Sequence, residues 1–323
     1  MALELRPFRA PDSTAVLAVA HAAIPYDYRG NERWLRERQQ VDEQRCLRRH
    51  YVLEDGGREI VGYGAIEQQL PDSRQRLRLY LLVSPGYLRS GGGRALYGQL
   101  MKDVEALKVT GLWMREYQQD NELMGFMYER GFVQTRLTWE QRLTLMKANV
   151  GQMVQVVEEV AGQGVIISNL EEERKRTPDF AGRLHALYNG ILGDDFAPLP
   201  FPAFVQLLDR PRIMPQGFFF ARDGEQLVGM GALAYVEGDS EQAVQRWTGV
   251  LPAYRRRHIG IALRLCCMDA ALRLGYQTLV TYTDHQERVM LRLDEKLGFH
   301  RLFGYVTLEK TVVGAAPSSG RLT

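Results

Sequence analysis

The sequence has few cysteines and no long apolar run. Its 323 residues contain 3 cysteines, Cys46, Cys266 and Cys267, and their odd number and spacing argue against a disulfide framework or a zinc site. We therefore expect reduced thiols and no bound metal. Charged residues near the amino terminus interrupt any signal-peptide apolar region, and no later apolar run approaches the length of a bilayer span. These absences predict a soluble cytoplasmic chain that does not contact a membrane.

An excess of charge of one sign is also absent. Lysine and arginine number 41 against 39 aspartate and glutamate residues, which gives a net charge of +2. A chain so close to neutrality has no general attraction for nucleic acid or anionic lipid, so any anion site must be local. The length is more than one hydrophobic core usually organises and predicts roughly two domains.

An internal repeat supports the two-domain prediction. The segment "GREIVGYGA" begins at Gly57 and "GEQLVGMGA" begins at Gly224, an offset of 167 positions (224 − 57). The same offset, without a gap, relates further pairs: Tyr87 and Tyr254, Gly93 and Gly260, and the Gly-Phe pairs at 131–132 and 298–299. Glycines and aromatic residues that keep this register predict two tandem copies of one fold.

The two copies share one predicted order of elements. Each has a short strand, helices, three strand-like runs, a loop that opens a helix, another strand, a shorter helix and a final strand, which is an α/β pattern. Helices are predicted at 13–22 and 32–42, and at 180–189 and 202–208. The predicted divisions are domains at 1–145 and 164–313, a connector at 146–163 with a helix at 150–160, and a disordered tail at 314–323. We expect a cut near Val150 to leave two folded fragments.

The loop before the long helix has the composition of an anion site. It reads "RSGGGRA" in the first copy and "RRRHIGIA" in the second. A strand-loop-helix junction presents unpaired amide groups and the positive end of the helix dipole, and arginines add charge-assisted hydrogen bonds. The spacing matches neither a Walker loop nor a dinucleotide fingerprint. A glycine-rich turn with solvated arginines is the alternative, and the recurrence of the same context in both copies favours the anion site.

These residues resemble the acetyl-CoA motif of the GNAT N-acetyltransferases, Q/R-x-x-G-x-G/A after a strand that ends in V-x-P-x-Y. The strand ends here are "VSPGY" and "VLPAY". In the second copy Arg255 takes the Q/R position, while His258 and Gly260 take the two glycine positions. In the first copy Leu88 departs from the motif and both glycines are kept. The resemblance covers nearly the whole chain and extends to tandem members such as mycothiol synthase-like proteins.

The resemblance implies a fold and a cofactor site. It implies two GNAT folds, each a mostly antiparallel, splayed mixed sheet flanked by helices, with acetyl-CoA as co-substrate and its diphosphate on the loop. The expected cofactor-binding residues are Val83, Arg89, Ser90, Gly91, Gly92, Gly93 and Arg94 in the first copy, and Val250, Arg255, Arg256, Arg257, His258, Ile259, Gly260 and Ile261 in the second. His258 is compatible with main-chain binding if its φ is negative. The competing interpretation is that the Cβ of residue 258 narrows the site and leaves the second copy impaired.

The acid and base of the reaction are not assigned by the sequence. Family members often carry a tyrosine in the last helix, and its positions here hold Met127 and Asp294. Tyr128 lies one residue out of register and is expected to be a packing residue. Strand ends are where ligands meet open α/β sheets, and the candidates there are Glu116 and Tyr117 in the first copy and Tyr282, Asp284 and His285 in the second. Tyr80 and Trp247 are expected in the core.

The leading functional hypothesis is an acyl-CoA-dependent N-acyltransferase that acetylates a primary amine of a small molecule by direct attack. The second copy, with more arginines in its loop, is the favoured site. A non-catalytic acyl-CoA-binding protein is the alternative. A nucleic-acid binder is disfavoured by the near-neutral charge. Asp194 and Asp195 suit either attraction of a cationic amine or an ordinary acidic surface, and the chain is expected to be a monomer or homodimer.

Overall fold

The computed structural model describes residues 3–24, 47–68, 76–107, 109–148, 150–192, 198–208, 213–236 and 239–312. Cys46, Asp194, Asp195, the helix expected at 32–42 and the tail lie outside these residues. The chain divides into two compact units. The first comprises Met1–Glu116, Asp120–Thr135 and Val306–Thr323, and the second comprises Tyr117–Gln119 and Arg136–Tyr305.

The first unit contains most of the first sequence copy. Its elements are β1 (Glu4–Pro7), α1 (Ser13–Ala23), β2 (Arg48–Glu54), β3 (Ile60–Gln68), β4 (Arg76–Val83), α2 (Gly92–Leu107), β5 (Gly111–Tyr117) and α3 (Asn121–Tyr128). The strands lie in the order β1-β2-β3-β4-β5. The pairs from β1 to β4 are antiparallel, whereas β4 and β5 are parallel. The helix predicted at 13–22 is confirmed.

The second unit repeats this arrangement. Its elements are β6 (Val133–Thr144), α4 (Met153–Ala161), β7 (Val165–Asn169), α5 (Leu170–Arg176), α6 (Phe180–Leu192), α7 (Phe201–Leu208), β8 (Ile213–Asp223), β9 (Gln226–Val236), β10 (Asp239–Val250), α8 (Ile259–Arg273), β11 (Thr278–Asp284), α9 (Arg288–Lys296) and β12 (His300–Thr311). Residues 133–135 of β6 and 306–311 of β12 belong to the first unit. The strand order is β6-β11-β10-β9-β8-β7, with β10 and β11 parallel. The predicted α/β class, with mostly antiparallel strand pairing and a parallel pair in each unit, is confirmed. No helix in the described ranges is both long and apolar enough to span a bilayer.

The final strands of the two copies are exchanged. Residues 138–144 of β6 belong to the first sequence copy but pair antiparallel with β11 in the second unit. Residues from Val306 onward, at the end of the second copy, belong to the first unit. There Arg76 of β4 binds Glu309 at 2.8 Å, and the amide of Val312 donates to the carbonyl of Thr110. The compact units therefore do not follow the divisions expected at residues 145 and 164, because a repeat specifies the type of a strand but not its pairing partner.

The two glycines of each repeated segment explain why the segment recurs. A Cβ on Gly62 would lie 3.2 Å from Leu96 of α2, and a Cβ on Gly64 would lie 3.1 Å from Leu100. In the second unit, a Cβ on Gly229 would lie 3.1 Å from Leu263 of α8. The glycines thus let the long helix of each unit pack closely on the middle of its sheet. This packing fixes the start of the helix at the end of the preceding strand.

Helix α8 is buried on nearly all sides. Ile259, Ala262 and Leu263 pack with Val160 of α4, so the connector helix belongs to the core of the second unit. Cys266 and Cys267 on α8 are free thiols, in agreement with the sequence prediction for these two residues. Burial raises the pKa of Cys266 to about 11, so this thiol stays protonated at neutral pH.

The strand exchange reverses the expectation that a cut near Val150 leaves two stable fragments. The amino-terminal fragment would lack residues 306–311, and the carboxyl-terminal fragment would lack residues 138–144, which pair with β11. We expect neither fragment alone to show a cooperative thermal transition, because each unit loses part of a strand and the core side chains that this strand carries. A mixture of the two should recover a transition in circular dichroism. Cooperative melting of both isolated fragments would contradict this prediction.

Candidate functional site

Each unit has an opening between its two parallel strands. In the first unit β4 and β5 pair only from Arg76 to Arg78, opposite Gly111 to Trp113. In the second unit β10 and β11 pair only from Gln242 to Gln245, opposite Thr278 to Thr281. Both strands of each pair continue beyond the last paired residue, to Val83 and Tyr117 and to Val250 and Asp284. Main-chain groups that face such an opening are available to a ligand, and the splay expected for both copies is confirmed.

The opening of the second unit also has a β-bulge. The pairing of β10 with β9 shifts between Gln245 and Trp247, so Arg246 is the extra residue. The corresponding pairing of β4 with β3 runs from Leu77 to Val83 without a shift. A bulge bends its strand and redirects its main-chain groups. Beyond it Trp247 packs on Tyr188 and Phe218 at ring distances of 6.0 Å. It was expected in the core and is partly buried against it.

The loops that follow the two openings have the same backbone. Arg89 and Arg256 have φ values of 62° and 63°, and Gly91 and His258 have φ values of 90° and 61°. These are equivalent positions of the repeat. The condition that His258 has a negative φ is therefore wrong. The histidine keeps the left-handed conformation of the glycine that it replaces, at a cost of about 1–2 kcal/mol for an L residue.

The three loop arginines of the second unit differ in their contacts. Arg255 donates from Nε to the carbonyl of Val250 at 3.2 Å, and Arg257 donates from Nη2 to the carbonyl of Gln163 at 2.9 Å. Arg256 is exposed. Two of the guanidinium groups are thus held by main-chain carbonyls at the end of β10 and beyond α4.

The first loop is held differently. The side chain of Arg89 is 85% exposed and pairs with Glu122 of α3 at 2.8 Å. Leu88, which stands where the motif has Q or R, is 47% exposed. One contact recurs in both units: the hydroxyl of Tyr87 donates to Asp55 at 2.7 Å, and that of Tyr254 donates to Asp223 at 2.9 Å. The tyrosine of each strand end therefore fixes its loop against the β-turn of the same unit.

Both loops have room for a ligand beside the first helical turn. A Cβ on Gly93 would come no closer than 3.7 Å to its nearest neighbour, Val83 Cγ2, and a Cβ on Gly260 no closer than 3.9 Å to Val250 Cγ2. The space beside these glycines is thus bounded by a single valine methyl group at the end of the preceding strand. The first amides of α2 and α8, which have no carbonyl partner within the helix, lie at this point. Unpaired amides at a helix start, next to open space, are the groups that bind phosphate in proteins.

The predicted catalytic candidates have different environments. Tyr282 is 36% exposed and is the first residue of β11 beyond the paired stretch. Asp284 is already engaged, because its carboxylate binds Arg136 at 2.9 Å and accepts the amide of Gln286 at 2.9 Å. His285 lies 3.5 Å from the same carboxylate. Glu116 is 2% exposed and lies in the first unit.

Tyr117, expected to serve the first copy, belongs to a buried cluster of the second unit. The hydroxyl of Tyr305 lies 3.0 Å from that of Tyr117 and 2.9 Å from Glu140 Oε2. Burial, together with Tyr282 and Glu140, raises the pKa of Tyr305, so its phenol stays protonated and donates to the carboxylate. Glu140 lies directly opposite Tyr282 in the β6–β11 pairing. Sequence reasoning missed Glu140 and Tyr305, because both lie on the exchanged strands.

The positions of the family tyrosine hold residues of the interior. Met127 is fully buried, and so is Asp294. The Asp294 carboxylate binds Arg264 of α8 at 2.6 Å and accepts hydrogen bonds from Gln141 Nε2 at 2.7 Å and Thr283 Oγ1 at 2.9 Å. Burial raises the pKa of Asp294, and its three donors oppose that effect. Tyr128, expected to be a packing residue, is 44% exposed, whereas Tyr80 is buried as expected.

Comparison with known families agrees with this geometry. The model of the acetyltransferase (GNAT) family matches residues 17–132 and 183–299, one match for each copy of the repeat. The chain belongs to the GNAT acetyltransferase family. GNAT membership indicates an acetyltransferase that uses acetyl-CoA, and it accounts for the two openings, each followed by a loop at a helix start.

Solved structures support a tandem GNAT fold over the whole length. A GCN5-related N-acetyltransferase from Sphaerobacter thermophilus is 17% identical with a TM-score of 0.74, over 96% of this chain and 95% of that one. A tandem GNAT protein from the clavulanic acid biosynthesis pathway is 18% identical with a TM-score of 0.70, over 98% of this chain and 100% of that one. At these identities the likeness concerns the fold alone. A search of curated protein sequences gave no match.

The buried pair of Arg264 and Asp294 generates a stability prediction. Asp294→Leu should lower the free energy of unfolding by about 3–5 kcal/mol, because it leaves a buried guanidinium without its counter-ion. The double variant Asp294→Leu/Arg264→Met should recover most of that loss. Urea unfolding at neutral pH measures both. The adjacent pair of Glu295 and Arg301 is exposed, so the control Glu295→Leu should cost less than about 1 kcal/mol. Equal losses in the two single variants would contradict the prediction.

Proposed function

We propose that the protein transfers an acetyl group from acetyl-CoA to a primary amine of a small molecule, and that transfer takes place in the second unit. One observation carries the choice of the second unit. In the described residues, only the opening between β10 and β11 combines a bulge in the strand that precedes the loop with three consecutive arginines in that loop. The opening of the first unit has the more permissive glycine loop but neither of these features.

Binding of the co-substrate is assigned to the loop and the preceding strand. The amides of His258, Ile259, Gly260 and Ile261 stand at the positive end of α8 and suit the diphosphate, with Arg255, Arg256 and Arg257 adding charge. The main chain at Val250 borders the opening and suits the pantetheine amides. Although the negative φ expected of His258 is wrong, its positive φ gives the loop the same backbone conformation as Gly91 at the equivalent position. This equivalence supports main-chain binding in the second loop.

The reaction assigned to this site needs no covalent enzyme intermediate. The neutral amine nitrogen attacks the thioester carbonyl carbon, the C–N bond forms, the C–S bond breaks, and one proton passes from the nitrogen toward the thiolate. Tyr282 is our candidate for the group that handles a proton, because its side chain is exposed directly beyond the last pair of β10 and β11. The buried carboxylate of Glu140 lies opposite Tyr282, on the side of the strand that we assign to the acceptor. It is already paired with Arg142 at 3.1 Å and accepts the hydroxyl of Tyr305 at 2.9 Å, so we assign it a structural part and no part in attracting the amine.

A second candidate function is acyl-CoA binding without transfer. The observation that favours it is the ion pair of Asp294, which engages the residue at the family tyrosine position. Both candidates share the binding step. Acetyl-CoA should therefore raise the melting temperature of the intact chain by mass action, and turnover against a panel of amines separates the two. The absence of any shift at millimolar acetyl-CoA would contradict both functions.

A matched pair of substitutions tests which unit transfers the acetyl group. Gly260→Val and Gly93→Val place the same side chain at equivalent positions of the two loops. At each position the new Cβ would contact only a valine methyl group. We expect Gly260→Val to raise the acetyl-CoA KM about tenfold or more, because the side chain fills the space assigned to the diphosphate. Gly93→Val should leave turnover nearly unchanged. The reverse result in steady-state kinetics would assign transfer to the first unit.

The loop arginines provide an independent prediction. Changing Arg255 and Arg257 together to Ala should remove charge-assisted hydrogen bonds worth about 1.5–3 kcal/mol each, before solvent screening, and raise the acetyl-CoA KM at least tenfold. The matched control is the double change of Arg89 and Arg94 to Ala in the first loop. Because Arg257 also holds the carbonyl of Gln163, the melting temperature of the double variant must be measured alongside its kinetics. An unchanged KM in a folded variant would contradict the assignment.

A further inference from the structure

Two side chains of the second loop reach α4 and the residues that follow it. Arg257 donates to Gln163, from Nε to the side-chain oxygen at 3.1 Å and from Nη2 to the carbonyl at 2.9 Å. Nδ1 of His258 lies 3.4 Å from Oε2 of Glu159. Val160, the next residue of α4, packs against the start of α8. The end of α4 is therefore held against the loop, with Glu159 beside the histidine.

The backbone of this loop does not require a histidine. His258 has a φ of 61°, and Gly91, its counterpart at the repeat offset, has a φ of 90°. Glycine adopts such a conformation without the cost that an L residue bears. The second loop thus holds a less favourable residue where glycine would form the same turn. A side chain that occupies a costly backbone conformation at a binding loop points to a role for that side chain.

Glu159 orients the imidazole of His258. The two side chains are 44% and 59% exposed, respectively. Nδ1 faces the carboxylate, whereas Nε2 has no hydrogen-bond partner in the part of the chain that the structure describes. A carboxylate that accepts from Nδ1 fixes the ring and leaves Nε2 for a second partner. Because His258 immediately precedes α8, this nitrogen belongs to the same helix start as the amides assigned to the diphosphate.

The protonation state of His258 decides what Nε2 can bind. In the neutral ring whose Nδ1 donates to Glu159, Nε2 is an acceptor and cannot donate to a phosphate oxygen. In the imidazolium both nitrogens donate, so the ring can serve a carboxylate and a phosphate at the same time. Histidine is the side chain whose ordinary charge change falls between about pH 5 and 8. A phosphate contact through Nε2 would therefore depend on pH in this range.

The arginines and the tyrosine of this loop keep their charge state near neutral pH. Arginine side chains stay protonated in proteins, so Arg255, Arg256 and Arg257 add a constant positive charge. The hydroxyl of Tyr254 donates to Asp223, and this hydrogen bond raises the pKa of the tyrosine, so it also stays protonated. A change in the affinity of the loop near neutral pH is therefore assigned to the histidine.

We propose that the imidazolium of His258 donates through Nε2 to the diphosphate of the co-substrate, and that Glu159 is its positioning residue. Binding then tightens as the pH falls through the histidine range, because the proton and the diphosphate favour each other's binding. The inference rests on co-substrate binding by the second loop, which is part of the proposed function. It adds a side-chain ligand that the first loop, with Gly91, does not have.

Calorimetric titration of the full chain with dephospho-CoA tests the proposal, in a Gly93→Val background that blocks the first loop. This probe keeps the diphosphate but lacks the 3′-phosphate of CoA, since a phosphate monoester itself titrates near neutral pH. We expect the dissociation constant to be about fivefold lower at about pH 6 than at about pH 8. His258→Asn should reduce this ratio to below about 1.5, because asparagine tolerates a positive φ and carries no charge at either pH.

A matched pair of substitutions on α4 isolates the part played by Glu159. Glu159→Gln should lower the ratio to about twofold, because an amide no longer favours the charged ring. The control Glu158→Gln removes the same charge from the preceding residue, which is exposed, and should keep the ratio of about fivefold. Equal reductions in the two variants would show a general effect of charge and would overturn the role of Glu159.

Two further variants separate this inference from the proposed function. His258→Gly gives the second loop the residue of the first, so we expect it to fold and to lose the pH dependence. Gly260→Val should weaken binding about tenfold or more at both pH values. If Gly260→Val weakens binding but His258→Asn keeps the full ratio, the inference fails and the proposed function stands. Equal affinity of the unchanged second loop at the two pH values would also overturn the inference, and no binding at either pH would contradict both.

Discussion

The loss of pairing between two parallel strands is the constraint on which each unit depends. Once β10 and β11 separate after Gln245 and Thr281, the main-chain groups that face the gap need other partners. Strand β10, which borders the gap, is followed directly by the loop and the start of α8. The close packing of α8 on Gly229 holds that helix in position. The opening, the loop and the helix dipole are thus consequences of one local arrangement.

The exchanged strands connect this arrangement to the buried polar network. Gln141 comes from β6, yet its side chain donates to Asp294 of α9, which also binds Arg264 of α8. The network therefore holds an exchanged strand against the helices of the second unit. A buried ion pair adds little net stability, but its geometric demands disfavour alternative pairings of the strand. The same strand brings Glu140 opposite Tyr282, so the exchange also supplies a side chain to the proposed acceptor side.

The loops of the two units have the same backbone conformation but differ in their charged side chains. Their loops share two left-handed residues at equivalent positions, and one of these is a glycine in the first unit and His258 in the second. Beside the openings, the first unit has Arg78 and Arg115 where the second has Gln245 and Tyr282. The two openings are therefore bordered by side chains of different chemical type.

The sequence by itself determined the repeat, the helix starts and the loop. These features depend on local spacing: paired glycines at fixed positions, a strand that ends in a proline turn, and apolar periodicity in the following helix. The prediction of two GNAT folds followed from that spacing and from the family resemblance. Tertiary structure alone decided which unit receives each final strand, because strands of two related copies offer similar hydrogen-bonding partners. It also decided that Asp294 is an interior ion-pair residue and that His258 has a positive φ, since both depend on neighbours distant in the chain or on the backbone that the surrounding packing imposes.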